Sequence, residues 1–165
     1  MALDQIAYTL IGVLWVAGTL GHFILIRNLE SGRFLLFFIF LTVWVGDTAA
    51  YYGGRKLGRN PLIPLISPKK TIEGAICGLA ASASAGVLAH FWFLGELLTH
   101  CLIMGFFCGI IGQFGDLAES VIKRNAGMKD SGGLIPGHGG VLDRVDSLMF
   151  AGPAVYFYYK WVIVG

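Results

Sequence analysis

Residues 74–95 read GAICGLAASASAGVLAHFWFLG, a run of 22 residues that contains no charged side chain. About 20 consecutive apolar residues are enough for an α-helix to cross the hydrocarbon core of a bilayer. Small residues recur within the run at helical spacing, as in Gly74-x-x-x-Gly78, and such patterns favour close contact between helices in lipid. The run therefore predicts a membrane-spanning helix that packs tightly against its neighbours.

Four other runs have nearly the same character, and only Asp47 and Lys160 interrupt them. They are residues 5–26, 34–54, 97–115 and 147–165. The whole chain is 56% hydrophobic and 13% charged, and that charged fraction is about half the average for soluble proteins. We therefore predict an all-α, polytopic membrane protein in which residues 1–165 form a single membrane-embedded domain with five spanning helices.

The distribution of charge predicts how these helices are oriented. With five spans, the loops at residues 55–70 and 119–146 lie on the same side of the membrane as the N-terminus. These loops hold nine basic residues, and loops rich in Lys and Arg face the cytoplasm. We therefore expect a cytoplasmic N-terminus and an external C-terminus. The nine residues are Arg55, Lys56, Arg59, Lys69, Lys70, Lys123, Arg124, Lys129 and Arg144.

Small residues also recur in Gly105-x-x-x-Gly109 and throughout residues 80–86. Such patterns are found both inside helical bundles and at dimer interfaces. We favour packing within one bundle over a dimer face.

Segment 120–146 is the most polar part of the chain, with four cations, three carboxylates, one histidine and six glycines. Charged residues near a bilayer are costly and usually functional. The cations suit phosphate and the acids suit a hard metal ion. The glycines allow the backbone to approach a ligand closely. The segment therefore predicts a phosphate- and metal-binding site.

Four aspartates converge on the predicted cytoplasmic side, namely Asp47, Asp116, Asp143 and Asp146. Carboxylates from two helices could meet there and hold a divalent cation. Oxygen ligands, with a single histidine nearby, favour Mg²⁺ over zinc. The structural alternative is that these acids pair with neighbouring basic residues in an interfacial network. For a single pair of an acid and a base both interpretations remain open, but for the whole set of aspartates we favour the metal site.

Residues 134–140 read LIPGHGG, a glycine-rich turn before the fifth helix. Its backbone N–H groups could cradle phosphate, helped by the helix N-terminus. His138 either contacts phosphate or caps the turn, and the two interpretations have equal weight. No Gly-Lys-Ser/Thr follows, so the turn is not a Walker loop.

The first basic loop contains its own candidate site. Ser67 and Thr71 can hydrogen-bond phosphate oxygens, and Lys69 and Lys70 can neutralise them. A lysine pair at a membrane edge is more commonly a lipid-facing anchor. Because this pair lies on the same predicted side as the aspartates, we favour phosphate binding.

The residues of segment 120–146 match the sequence motif of a known protein family. Ser120-x-Ile-Lys-Arg, Lys129-Asp130-x-Gly132 and Ile135-Pro-x-His138-Gly-Gly-Val-x-Asp143-Arg-Val-Asp146 together resemble the signature of phosphatidate cytidylyltransferases, also called CDP-diacylglycerol synthases. Two flanking pieces resemble the same family. They are Trp44-Val-Gly-Asp47-Thr-Ala-Ala-Tyr51 with Gly54-Arg55, and Ser67-Pro-Lys-Lys-Thr-x-Glu73-Gly.

The resemblance implies an enzyme that transfers CMP from CTP to phosphatidic acid, giving CDP-diacylglycerol and pyrophosphate. It also implies Mg²⁺, with K⁺ as a second candidate ion, and a homodimer in the bacterial inner membrane. Longer family members have further helices before the region that matches this chain. We expect the lipid bilayer as a partner and no nucleic acid.

The resemblance and the residue chemistry together assign roles. The metal ligands are expected to be Asp116, Asp143 and Asp146. Four cations are expected to stabilise the nucleotide phosphates and the leaving group: Lys123, Arg124, Lys129 and Arg144. Substrate or phosphate binding is assigned to Asp47, Arg55, Ser67, Lys69, Lys70, Thr71, His138, Gly139 and Gly140.

Two rival functions can be compared with this prediction. A CDP-alcohol phosphotransferase also uses membrane aspartates, but its Asp-Gly-x-x-Ala-Arg motif is absent from the sequence. A cation channel or transporter would use Asp47, Asp116, Asp143 and Asp146 as an ion path. Such a path needs acids on both sides of the membrane midplane, whereas these four gather on one side beside cations.

Overall fold

Five α-helices make up most of the computed structural model, which describes residues 2–128, 131 and 140–165. The fifth helix continues directly into a π-helix, Tyr159–Val164. The prediction of an all-α fold class is confirmed. The helices are α1 (Ala2–Arg27), α2 (Gly32–Leu57), α3 (Ile72–Trp92), α4 (Leu98–Asn125) and α5 (Leu142–Tyr158).

Helices α1 to α4 are each long and apolar enough to cross a membrane. Helix α5 has 17 residues, and the six-residue π-helix extends it. Large apolar side chains such as Leu14, Phe91 and Trp161 are exposed on the outside of the bundle, where lipid tails would cover them. The chain is therefore a multi-pass helical membrane protein.

A short β-hairpin stands where the sequence predicted only a loop between α2 and α3. Strand β1 (Pro61–Ile63) pairs antiparallel with β2 (Ser67–Thr71), and Ile63 lies opposite Ser67. Strands this short, with a proline in each, have no clear alternation of apolar and polar residues. Periodicity therefore could not reveal the hairpin, although it carries much of the predicted phosphate-binding set.

Helix α4 extends well beyond residue 115, where the apolar run ends, and stops at Asn125. Asp116, Glu119 and Lys123 follow one another at intervals of three and four residues, which places them along one side of a helix. The polar end of the helix was predicted as loop because its side chains are not apolar. Lys123 and Arg124 therefore project from a rigid element.

Small residues bring α2, α3 and α4 into close contact. A Cβ atom on Gly105 of α4 would lie 2.6 Å from the carbonyl oxygen of Ser82 in α3, and one on Gly74 of α3 would lie 2.7 Å from that of Ala50 in α2. The buried Ser82 hydroxyl also donates a hydrogen bond to the carbonyl oxygen of Thr42, at 2.9 Å. The predicted small-residue packing within the bundle is confirmed.

Gly105→Val tests this packing. The added side chain would overlap the backbone of α3, and overpacking of this kind typically costs about 1–3 kcal/mol. We expect a lower midpoint of thermal unfolding in detergent, measured by circular dichroism. Gly18→Val in α1 is the matched control, because Gly18 is exposed and a Cβ there meets nothing within 4 Å. Equal stability of the two variants would contradict the close contact between α3 and α4.

Candidate functional site

A cavity of about 710 Å³ lies between the hairpin and helices α2 to α5. It is of the size that small-molecule and cofactor sites usually have. Nine of the predicted site residues line it, and so do Gln113 and Ser147. The nine are Asp47, Arg55, Ser67, Lys69, Lys70, Thr71, Asp116, Asp143 and Asp146. The two sequence regions that were predicted to lie on the same side of the membrane therefore share one cavity.

Lys70 forms an ion pair with Asp116 across the cavity. Lys70 is on β2 and Asp116 is on α4, so the pair joins the hairpin to the helix bundle. Both side chains are partly exposed to the cavity, at 28% and 36%. Asp47 of α2 lies within electrostatic range of both. This part of the cavity therefore contains the acids Asp47 and Asp116 and the cation Lys70, and the ammonium group of Lys70 is accessible to a phosphate ligand.

Asp146 and Glu119 form a buried acidic pair beside Asp116. Asp146 is 9% exposed and Glu119 only 1%, and Asp146 lies within electrostatic range of Glu119 and Asp116. One Asp146 oxygen accepts a hydrogen bond from the N–H of Ser147 at 2.6 Å. The Oε1 atom of Glu119 has no hydrogen-bond partner among the described residues. A buried carboxylate oxygen of this kind is suited to a cation.

Glu119 was not singled out from the sequence. It stands four residues before Lys123, the spacing at which oppositely charged side chains meet on a helix. That signal was overlooked because residue 119 was taken as the first residue of a loop. The helical extension of α4 brings Glu119 into the site.

Lys123 links the two ends of the cluster. Its Nζ atom lies 2.9 Å from Glu119 Oε2 and 2.5 Å from Asp143 Oδ1. The pairing of acids with neighbouring cations, which was the structural alternative, is thus present at Asp143. It joins α4 to α5 at the edge of the cavity.

Asp143 is also held by the backbone around it. Its Oδ2 atom accepts hydrogen bonds from the N–H of Ser131 at 2.9 Å, from the Ser131 hydroxyl at 2.8 Å and from the N–H of Gly140 at 2.8 Å. Partial burial alone would raise the pKa of Asp143, but the donors Lys123, Ser131 and Gly140 hold that pKa well below its usual range. Asp143 is therefore ionised and engaged by protein donors on both oxygens.

The remaining predicted residues lie elsewhere. Arg124 donates from Nε to the carbonyl oxygen of Ile66 at 3.3 Å, and from one terminal nitrogen to that of Met128 at 3.5 Å. Arg144 is exposed in the first turn of α5. Neither side chain, nor that of Lys123, lines the cavity as described. The structural description does not extend to Lys129, His138 and Gly139.

The fit of a metal ion can be judged from the donors. Among the described residues, no three histidine, cysteine, aspartate or glutamate side chains are arranged to hold a metal ion. Mg²⁺, however, is commonly held by one or two carboxylates together with substrate phosphates and water. Asp116 and Asp146 offer such oxygen donors at the cavity, with the unpartnered oxygen of Glu119 beside them. These residues fit Mg²⁺, with Asp116 sharing its carboxylate between the ion and Lys70, whereas protein donors engage both oxygens of Asp143.

Comparison with known proteins agrees with this chemistry. The profile described as the cytidylyltransferase family matches residues 1–162. The chain belongs to this family. The resemblance recognised in the sequence motifs is thereby confirmed.

Named relatives are similar over much of the chain. It is 38% identical to a phosphatidate cytidylyltransferase of Bacillus subtilis over 159 residues, which are 93% of this chain and 58% of that protein. It is 44% identical to the enzyme of the same name from Synechocystis over 134 residues, 80% of this chain and 45% of the relative. The Haemophilus influenzae protein of that name is 44% identical over 137 residues, 80% of this chain and 48% of the relative. The chain thus spans about half the length of these relatives.

Lys123→Met tests the acidic network. The substitution leaves the buried carboxylate of Glu119 and that of Asp143 without their shared cation, and removing one partner of a buried ion pair costs about 3–5 kcal/mol. We expect a large fall in the free energy of unfolding, measured by denaturant titration in detergent.

Two further variants complete this test. Lys160→Met, at an exposed lysine in the π-helix, should leave stability unchanged. Adding Glu119→Gln to Lys123→Met should restore part of the lost stability, because it removes one of the two unpaired charges. A Lys123→Met protein as stable as Lys160→Met would show that the network does not stabilise the fold.

Proposed function

We propose that this chain forms the catalytic part of a phosphatidate cytidylyltransferase, which transfers CMP from CTP to phosphatidic acid and releases pyrophosphate. Family membership and the names of the relatives support the proposal. The observation that carries it is a cavity in an apolar bundle, where Arg55, Lys69 and Lys70 face Asp116 and Asp146. A lipid phosphate and a nucleotide triphosphate together require both the apolar surroundings and these charges.

The substrates determine what the residues must do. The phosphate monoester of phosphatidic acid is already an anion, so its oxygen needs no strong general base. That oxygen attacks the α-phosphorus of CTP in line, the bond to the β-phosphate oxygen breaks, and pyrophosphate leaves. Catalysis of such a transfer consists mainly of positioning and charge neutralisation. The acids of this site are therefore assigned to metal binding and to holding cations, not to proton transfer.

The cations of the hairpin supply much of that neutralisation. The ammonium group of Lys70 is paired with Asp116. It can also donate a hydrogen bond to a substrate phosphate while it stays close to that carboxylate. Ser67 and Thr71 offer hydroxyl groups on the same strand, and Lys69 adds a second charge. Hydrogen bonds from charged donors to phosphate are stronger than neutral ones. β2 is therefore the main phosphate-binding element in this proposal.

Mg²⁺ is proposed to be held by Asp116 and Asp146, with Asp143 and Glu119 nearby. When bound, it would supply positive charge to the triphosphate and to the departing pyrophosphate. The family resemblance suggests K⁺ as a second ion. Lys123 pairs with the carboxylates of Glu119 and Asp143 and offsets part of the negative charge beside the site.

The membrane setting follows from the same proposal. The acyl chains of phosphatidic acid would stay in the bilayer and enter between helices, while CTP would arrive from the cytoplasm. We propose a location in the bacterial inner membrane, with the N-terminus and the cavity on the cytoplasmic side, and a homodimeric assembly. The cation-transport alternative gains no support, since Asp47, Asp116, Asp143 and Asp146 line one cavity together with the cation of Lys70.

The activity is tested with membranes that contain the protein, labelled CTP, phosphatidic acid and Mg²⁺. We expect labelled CDP-diacylglycerol and an equal amount of pyrophosphate, and no product when diacylglycerol replaces phosphatidic acid. Asp116→Asn should lower the rate roughly 100-fold, because a charged group at the reacting phosphates is lost. Absence of CMP transfer by the wild-type protein would rule out the proposed function.

A further inference from the structure

Glu73 lies at the root of the hairpin, in the first turn of α3. Its carboxylate accepts hydrogen bonds from the N–H of Arg59 at 3.1 Å, from the N–H of Asn60 at 3.3 Å and from the side-chain amide of Asn60 at 2.8 Å. The N–H of Ile72 in turn donates to the carbonyl oxygen of Asn60 at 3.0 Å. The first turn of α3 therefore binds Asn60 at two points. The Glu73 carboxylate accepts from the N–H of Asn60, and the N–H of Ile72 donates to its carbonyl oxygen.

The position of the hairpin depends on such attachments. A two-stranded hairpin is at best marginally stable alone in water, and these strands have only three and five residues. Outside the cavity, its tip is tied to α4 where Arg124 donates to the carbonyl oxygen of Ile66, at 3.3 Å. At its root, β2 runs directly into α3, and Glu73 ties the chain that enters β1 to the same helix. Strand β2, which carries Lys69 and Lys70, runs between these two attachments.

The simpler role for Glu73 is stabilisation of α3 alone. An acidic side chain near a helix N-terminus is favourable by about 0.3–1 kcal/mol, and this end already has a cap, since Thr71 Oγ1 accepts a hydrogen bond from the N–H of Gly74 at 3.2 Å. The hydrogen bonds of Glu73 to Arg59 and Asn60, however, reach back across the hairpin root. They connect α3 to the chain that enters β1, which a helix cap does not require.

We propose that Glu73 is a positioning residue that fixes the root of the hairpin and thereby directs Lys69 and Lys70 into the cavity. The consequence for substrate binding rests on the proposed function. Strand β2 runs directly into α3, so loss of the Glu73 carboxylate would leave the chain that enters β1 held at this root by the hydrogen bond from Ile72 to Asn60 and by its pairing with β2. The hairpin would then be held less firmly at its root. The lysines of β2 would then sample positions from which a phosphate is held less well.

The geometry is tested by distance measurement between spin labels. Labels at Leu65→Cys in the hairpin turn and Ile76→Cys in α3 report the position of the hairpin, and both sites are exposed, at 96% and 60%. A Cys77→Ala background removes the partly exposed native thiol. We expect one narrow distance distribution with Glu73, a broad one with Glu73→Ala and an intermediate one with Glu73→Gln. Glu30→Ala, at an exposed acid between α1 and α2, should leave the narrow distance distribution unchanged.

Kinetics separate positioning from simple stabilisation. With the amount of folded enzyme measured for each variant, Glu73→Ala should raise KM for CTP or phosphatidic acid roughly 3- to 10-fold, and Glu73→Gln should recover part of the effect. A distance distribution unchanged by Glu73→Ala would overturn the proposal. So would a broadened distribution with unaltered KM values, since Glu73 would then serve stability alone. If the wild-type protein transfers no CMP, the proposed function fails, and the distance measurement still decides whether Glu73 fixes the hairpin.

Discussion

The contact on which the site depends is the ion pair between Lys70 and Asp116. Asp116 directly follows an apolar run in α4, and its carboxylate needs a compensating partner because charge near a bilayer is costly. The partner comes from a separate element, the hairpin, so the need to neutralise Asp116 also brings β2 over the cavity. One electrostatic requirement thus shapes the fold around the site and assembles the residues that can hold phosphate.

A second charge network lies beside the first, where α4 meets α5. Lys123 lies between Glu119 and Asp143, and Asp143 also accepts hydrogen bonds from Ser131 and Gly140. The protein donors that engage Asp143 set it apart from Asp116 and Asp146. Three aspartates that looked equivalent in the sequence therefore have different surroundings. Asp143 joins α5 to α4 and to Ser131, Asp116 joins α4 to the hairpin through Lys70, and Asp146 lies buried beside Glu119.

Much of this arrangement could be predicted from the sequence, since the apolar runs locate the helices and the count of spans places Asp47 and Asp116 near Asp146. What could not be predicted is which cation meets which acid. That choice depends on the rotation of α4 and on the position of a hairpin too short to show a period. The same limit explains why Glu119 was missed, because a charged residue at the end of an apolar run is easily assigned to a loop.

We propose above all that the cavity beside Lys70 and Asp116 binds the phosphates of the reacting molecules. Steady-state kinetics of Lys70→Met test it most directly. Lys56→Met serves as control, because Lys56 is an exposed lysine at the end of α2 that does not line the cavity. Loss of a charged hydrogen bond to phosphate predicts a fall in kcat/KM of roughly 10- to 100-fold for Lys70→Met and no change for Lys56→Met. Equal kcat/KM for the two variants would contradict the account.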